Sequence, residues 1–131
     1  MNDVYSVAIV GGGASGLACA VELINRGVSG KDIIILEKND RVGKKLLATG
    51  NGQGNVSNAK VTQSNYHGDK EFISAFFSCN EKPNVNELFN ILSLPLYTDT
   101  EGRKYPLSKQ ASSVLDLIRT FLFKNGVNVV V

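Results

Sequence analysis

Short apolar runs lie near the beginning of the chain, in its first third and at its end. Runs of branched apolar residues of this length are typical of strands that a parallel sheet buries on both faces. Between the first two runs, apolar residues recur with the i, i+4, i+7 spacing of one helix face. These residues are Leu17, Val21 and Ile24. The pattern predicts a strand over 4–10, a helix over 15–26 that ends at Gly27, and a second strand over 33–37.

The second half of the chain has the patterns of three further helices and a hairpin. Aromatic and aliphatic residues in i, i+4 pairs predict a short helix in 72–77, and Asn84 begins a motif with the form of a capping box before another helix. A Glu-Gly turn predicts a hairpin over 95–106. Ser108 is a favourable N-cap for a helix of about 16 residues, which an Asn-Gly pair would end.

A glycine-rich motif joins the first strand to the first helix. Residues 11–16 read GGGASG and fit G-x-G-x-x-G, in the strand–turn–helix setting of a dinucleotide-binding βαβ unit. Gly11 allows a sharp turn out of the strand, Gly13 lets a pyrophosphate approach the backbone, and Gly16 allows helix and strand to pack closely. The first turn of the helix would then direct free N–H groups at the phosphates.

Glu37 ends the second apolar run, where dinucleotide-binding units have an acidic residue that accepts hydrogen bonds from the adenosine ribose. Its charge would repel a 2′-phosphate and disfavours NADP as the first ligand, although the adjacent Lys38 weakens this effect. The chain has no G-x-x-x-x-G-K-[ST] motif, so a mononucleotide P-loop is excluded. Together these features predict an α/β, Rossmann-like fold with a parallel sheet.

The chain length of 131 residues predicts one domain. Its parts are the βαβ unit at 4–37, a Gly-rich polar segment at 38–69, a helical and hairpin segment at 70–125 and the start of a strand at 127–131. We expect that last strand to lie parallel to the second one. Because a dinucleotide-binding sheet usually has more strands, we expect the chain to be the N-terminal part of a longer protein. A self-sufficient domain is the alternative.

Composition and charge narrow the classes of function. The net charge of +2, from 14 basic and 12 acidic residues, predicts no special affinity for nucleic acid or membranes. No apolar run approaches the ~20 residues of a membrane span, and a strand that begins by residue 4 leaves no room for a signal peptide, so we expect a cytoplasmic protein. No C-x-x-C pair is present, and Cys19 is expected to pack within the first helix. The chain has a single histidine, His67, with no cluster of possible metal ligands around it. We therefore expect it to be a loop residue and not a metal ligand.

Three stretches together resemble the bacterial BaiN/YhiN-like flavoproteins, a family of NAD(P)/FAD-dependent oxidoreductases. They are residues 11–18 (GGGASGLA), 36–52, which end in KLLATGNG, and 102–114, which begin with GRKYP. The first stretch is shared by many flavoproteins, whereas the second is much more specific. The family pattern continues as G-N-G-R-C-N, but residues 52–55 here read GQGN, so the roles of that arginine and cysteine are not carried over.

The resemblance implies FAD as the cofactor, NAD(P)H as the electron donor and a small organic molecule as the substrate. The glycine motif would hold the pyrophosphate, Glu37 the ribose, and the residues from Gly43 onward would lie along the path to the flavin ring. The candidate cofactor-binding residues are Gly11, Gly13, Ala14, Ser15, Gly16, Glu37, Lys38, Gly43, Lys45, Leu46, Asn51 and Gly52. No catalytic residue is assigned.

Two other functions fit the same residues. One is an NAD-dependent dehydrogenase, which the long Gly-rich segment disfavours because an NAD-binding fold usually returns quickly to the next helix. The other is a non-catalytic nucleotide-binding module left by truncation. If the chain is part of a longer protein, its apolar faces are incompletely covered, and we expect self-association through them.

Overall fold

The structure is a computed structural model and describes residues 4–79 and 85–131. The strands are β1 (Val7–Val10), β2 (Ile33–Leu36), β3 (Ser57–Asn58), β4 (Leu96–Thr98), β5 (Arg103–Pro106) and β6 (Asn128–Val130). The helices are α1 (Ala14–Asn25), α2 (Lys70–Ser78), α3 (Val85–Ile91) and α4 (Ala111–Lys124). Asn84, the expected start of a capping box, lies outside the described residues.

A parallel sheet with the strand order β1–β2–β6 forms the centre of the fold. The predicted βαβ unit is confirmed, and β6 lies beside β2 as expected. The register aligns the last residues of the three strands, which are Val10, Leu36 and Val130. The carboxyl ends of the strands therefore meet at one edge of the sheet, which is where open α/β sheets bind ligands.

One face of the parallel sheet is buried beneath α1 and α4. Ile33 and Ile35 of β2 are completely buried, and so are Leu17 and Val21 on the inner side of α1. On α4, buried residues recur at helical spacing, at Val114, Leu115, Ile118 and Leu122. Burial of these apolar side chains is the main force that holds the helices on the sheet. On the opposite face, Val10 is 86% exposed.

A second, antiparallel sheet has the order β3–β5–β4 and contains the predicted hairpin. At its turn, the Asp99 carboxylate accepts hydrogen bonds from the N–H groups of Glu101 and Arg103, at 3.0 and 2.8 Å. The Arg103 guanidinium also binds Asp99, at 2.8 Å. Tyr97 and Tyr105 stack across the hairpin with a centroid distance of 5.6 Å. These contacts fix the register of the strands.

The start of α4 differs from the prediction. The helix begins at Ala111 and its N-cap is Gln110, not Ser108. The Ser108 hydroxyl instead accepts a hydrogen bond from the Gln110 N–H at 3.3 Å, within a turn that the Lys109 N–H closes on the Pro106 carbonyl at 2.9 Å. A backbone turn therefore competes with the capping role that the residue type favours.

The end of α4 is as predicted, because the Asn125 side chain donates to the Phe121 carbonyl at 2.8 Å and Gly126 has a φ of +82°.

The prediction that Cys19 packs within the first helix is wrong, since this residue is exposed on α1. Its small neighbour Ala20, by contrast, is completely buried, so the two residues lie on different faces of the helix. None of the helices within the described ranges is long and apolar enough to cross a membrane.

The segment after β2 is more ordered than its polar composition indicates. Val42 and Leu46 insert into the core with 6% and 8% exposure. A short 3-10 helix spans Leu46–Ala48, and the chain then reaches β3 in the second sheet. These two apolar side chains, together with backbone hydrogen bonds such as that of Val56 to Lys104 at 2.9 Å, hold the Gly-rich segment against the fold.

Adjacent residues at the end of α4 provide a test of the core. Leu122 is 2% exposed, whereas Phe123 is 83% exposed. Leu122→Ala should lower the free energy of unfolding by about 2–5 kcal/mol, because it leaves a cavity between α4 and the sheet. Phe123→Ala should change it by less than about 0.5 kcal/mol. Urea denaturation measures both values, and an equal effect of the two substitutions would contradict this packing of α4.

Candidate functional site

A cleft of about 1040 Å³ opens at the carboxyl ends of the parallel strands. The glycine motif, the end of β2 and the first residues of the following segment form its walls. Its lining consists of Val10, Gly11, Gly12, Gly13, Ala14, Ser15, Leu36, Glu37, Lys38, Asn39, Gly43, Lys44, Lys45 and Val130. The volume lies at the upper end of the range for small-molecule sites.

The glycine motif gives the cleft an open backbone wall. Gly11 has a φ of +103°, which only glycine adopts readily, and this turns the chain from β1 toward α1. A Cβ added at Gly13 would meet no atom within 4 Å, so the space beside this residue is free for a ligand. A Cβ at Gly16 would lie 2.0 Å from the Gly11 carbonyl oxygen, so Gly16 permits the close packing predicted for it.

Helix α1 directs its N-terminus at the cleft, with Gly13 in the N-cap position. The N–H groups of the first helical turn have no partner within the helix, and the helix dipole places partial positive charge there. Ala14 and Ser15 are exposed in this turn. The arrangement is suited to an anionic group such as a phosphate.

Gly12 links the glycine motif to two other segments. Its N–H donates to Glu37 Oε2 at 2.8 Å, and its carbonyl accepts the N–H of Gly43 at 2.7 Å. A Cβ at Gly12 would lie 2.4 Å from a methyl carbon of Val42. Three parts of the chain are thus held in contact at one residue that has no side chain.

The Glu37 carboxylate has three donors around it. Besides the Gly12 N–H, it accepts the backbone N–H of Asn39 on Oε1 at 2.9 Å, and the Asn39 side-chain amide binds the same oxygen. The backbone N–H groups of Asn39 and Gly12 are the main reason that the pKa of Glu37 lies below its ordinary value. A carboxylate offers roughly four lone-pair positions, so about one remains for a ligand.

Three lysines add positive charge to the cleft. Lys38, Lys44 and Lys45 all line it, and all are exposed. Lys44 lies 3.6 Å from Asp40, as an exposed i, i+4 pair of the kind that contributes little to stability. With the helix N-terminus, these side chains favour a ligand of net negative charge.

The structure brings eight of the twelve predicted cofactor-binding residues together. Gly11, Gly13, Ala14, Ser15, Glu37, Lys38, Gly43 and Lys45 line the cleft. Gly16 lies behind it, packed against the loop, and Leu46 belongs to the hydrophobic core. Asn51 and Gly52 are exposed beside the start of α4, where the Gly52 carbonyl accepts the Ala111 N–H at 2.8 Å. Contact of these residues with a cofactor stays a prediction.

The candidate set did not include six residues that line the cleft. Val10, Leu36 and Val130 are strand-terminal residues in register, and they form an apolar wall. Their position at the carboxyl ends of parallel strands is a signal that the sequence already contained. The other three are Gly12, Asn39 and Lys44. Among the residues described, no group of three or more His, Cys, Asp or Glu side chains is arranged to hold a metal.

Comparisons with known proteins agree with this geometry. The family model described as HI0933-like protein Rossmann domain matches residues 5–131. The 3-dehydro-bile acid delta(4,6)-reductase of Clostridium scindens is 38% identical over 125 residues, which are 94% of this chain and 30% of that protein. The ribosomal RNA dihydrouridine synthase of Haemophilus influenzae is 36% identical over 66 residues, or 50% of this chain and 16% of that protein.

A solved structure, that of Thermovibrio ammonificans THI4, has the same fold with a TM-score of 0.62 and 19% sequence identity. The match covers 96% of this chain and 38% of that one. The predicted family and the predicted Rossmann-like fold are therefore confirmed. The chain spans less than a third of the curated relatives that it matches.

The charge of Glu37 should affect stability in acid. Because its pKa in the folded protein lies below the ordinary value of 4.5, the ionised carboxylate stabilises the fold above that pH, and this stabilisation is lost as the pH falls through the folded pKa. Glu37→Gln lacks it at every pH. Urea denaturation from about pH 7 to about pH 3 should therefore show the stability difference between wild type and variant shrinking in acid. Asp116→Asn, at an exposed position on α4, is the control. A constant difference between wild type and Glu37→Gln would contradict the hydrogen bonds assigned to Glu37.

Proposed function

Because the chain belongs to the HI0933-like protein Rossmann domain family, we propose that its cleft binds the adenosine and pyrophosphate parts of FAD. The observation that carries the proposal is the free space beside Gly13, at the N-terminus of α1. A pyrophosphate needs close approach to backbone N–H groups, and a side chain at this position would prevent it.

The charges of the cleft fit a pyrophosphate. The helix N-terminus, Lys44 and Lys45 provide positive charge in the cleft. The carboxylate of Glu37, the residue that follows β2, lies in the same cleft and accepts the Gly12 N–H at 2.8 Å. The cleft thus offers positive groups to a phosphate part of a ligand and one carboxylate to a ribose part.

The remaining acceptor position on Glu37 fits a ribose hydroxyl. A hydroxyl can donate to the ionised carboxylate, whereas a 2′-phosphate would bring negative charge toward it. Adenosine in FAD has free ribose hydroxyls, so Glu37 favours FAD over ligands that carry a 2′-phosphate. Val10, Leu36 and Val130 supply apolar surface beside the same end of β2.

For the whole protein, we propose reduction of a small organic substrate, with a nicotinamide nucleotide as the electron donor. FAD held in this cleft would supply the hydride-transfer chemistry, while the protein supplies binding and orientation. The relative with the larger matched region is named as a reductase of a bile acid derivative, which supports this reaction class. The residues of this chain would bind and orient the cofactor.

Asn51 and Gly52 are proposed as contacts on the flavin side. Both are exposed, and a Cβ at Gly52 would meet nothing within 4 Å. The hydrogen bond of the Gly52 carbonyl to Ala111 holds this turn at the start of α4. This turn, fixed to the start of α4, therefore presents backbone and side-chain amide groups outside the cleft that would hold the adenosine.

Gly13→Val tests the phosphate site. The backbone at residue 13 has a φ of −77° and a ψ of −177°, which valine adopts readily, so the variant should fold. It should lose FAD binding, because its side chain occupies the space reserved for the pyrophosphate. Calorimetric titration with FAD measures this, and Ala75→Val, on the exposed side of α2, is the control. A folded Gly13→Val protein with wild-type affinity, or a wild type that binds no FAD, would refute the site.

Glu37→Ala tests the ribose contact. Loss of one hydrogen bond to a charged group is worth roughly 1.5–3 kcal/mol, so FAD should bind about ten- to a hundredfold more weakly. The same variant should bind ADP-ribose and its 2′-phosphate with more similar affinities, because the repelling charge is gone. Loss of NAD affinity at unchanged FAD affinity would instead assign the cleft to a dehydrogenase.

A further inference from the structure

We propose that Asn39 is a positioning residue, which holds the Glu37 carboxylate against the glycine motif before a dinucleotide arrives. The inference rests on the proposed function, because the ligand that would use the held carboxylate is the ribose of FAD. Asn39 lies two residues after the end of the βαβ unit that the motif defines, and it was not among the predicted site residues.

Asn39 and Gly12 hold the two oxygens of Glu37 between them, and we call this arrangement the clamp. Two donors of one residue, the backbone N–H and the side-chain amide of Asn39, bind the same oxygen of Glu37. The other oxygen accepts the Gly12 N–H at 2.8 Å. A free glutamate side chain has several accessible rotamers, and ordering it costs conformational entropy. The clamp meets that cost in the free protein, so the ligand need not.

In the part of the chain that the structure describes, no charged side chain near Glu37 holds its carboxylate in place of Asn39. The charged groups that line the cleft with Glu37 are Lys38, Lys44 and Lys45, and the Asp40 carboxylate pairs with Lys44. Within the described residues, the side chains of these lysines form no ion pair with Glu37, and the donors at hydrogen-bond distance from its carboxylate belong to Gly12 and Asn39. The backbone N–H of Lys38 makes the smallest contribution to the lowered pKa of Glu37. Hydrogen bonds to the ionised form, more than charge pairs, therefore hold the pKa of Glu37 below its usual range.

Two substitutions distinguish the contribution of the Asn39 side-chain amide from that of its backbone N–H. Asn39→Ala keeps the backbone N–H and removes the side-chain donor. Asn39→Asp has nearly the same shape but places a carboxylate beside Glu37. The matched controls are Asn90→Ala and Asn90→Asp, at an exposed residue of α3 outside the cleft.

Two measurements test the clamp. The first is an NMR titration of the Glu37 carboxyl carbon in the ligand-free chain, where both Asn39 variants should raise the pKa of Glu37 and Asn39→Asp should raise it more. The second is calorimetric titration with FAD as a function of pH. Here Asn39→Asp should weaken binding roughly tenfold, with a smaller loss for Asn39→Ala, and the loss of binding in acid should begin at higher pH in both.

The outcomes are distinct. If both Asn39 variants titrate like wild type and the Asn90 controls, the clamp is refuted, even where FAD binds normally. If wild type binds no FAD, the proposed function is refuted, and the titration of Glu37 in the free chain still decides whether Asn39 holds it. A raised pKa of Glu37 with unchanged FAD affinity would show that the clamp does not serve the ribose and would overturn the inference.

Discussion

The candidate site depends on the backbone of Gly12, where three segments of the chain are hydrogen-bonded or packed together. Its N–H binds Glu37 at the end of β2, and its carbonyl binds Gly43 in the following segment. The side chain of Val42 fills the space that a Cβ would need. This contact sets the distance between the glycine motif and the residues after β2, and so the width of the cleft. The conformation of the glycine motif is consequently fixed by residues more than twenty positions later in the chain.

The hydrophobic core sets the positions of the strands and of α1 around the cleft. Ile33 and Ile35 place β2 beneath α1 and α4, and the parallel register then brings Val10, Leu36 and Val130 to one edge. The same helix that packs on the sheet presents its N-terminus to the cleft. Packing and the geometry of the cleft are therefore coupled through α1: its buried side carries Leu17 and Val21, while its first turn faces the cleft.

Local patterns in the sequence predicted the parts of the fold that depend on local chemistry. Apolar runs, helix periodicity and the glycine motif predicted β1, α1, β2 and the position of β6, and the structure has them. Prediction failed where a neighbour competes with a propensity, as at Ser108, which lies in a backbone turn and not at an N-cap. The site was predictable to the extent that it follows the motif. The contacts of Gly12 and Asn39 with Glu37 were not, because they depend on how separate segments meet in three dimensions.

The region around α2 is held together by contacts that are independent of the cleft. No residue of this helix is buried, and its aromatic rings pack on one another and on Tyr66, with centroids 5.2 Å apart for Tyr66 and Phe77 and 5.4 Å apart for Phe76 and Phe77. This small aromatic cluster shares no side chain with the cleft or with the core beneath the parallel sheet. Substitutions in this cluster should therefore leave the geometry around Gly12 undisturbed. The residues that contact Gly12, which are Glu37, Val42 and Gly43, have no such independence, because each of them links the glycine motif to another segment of the chain.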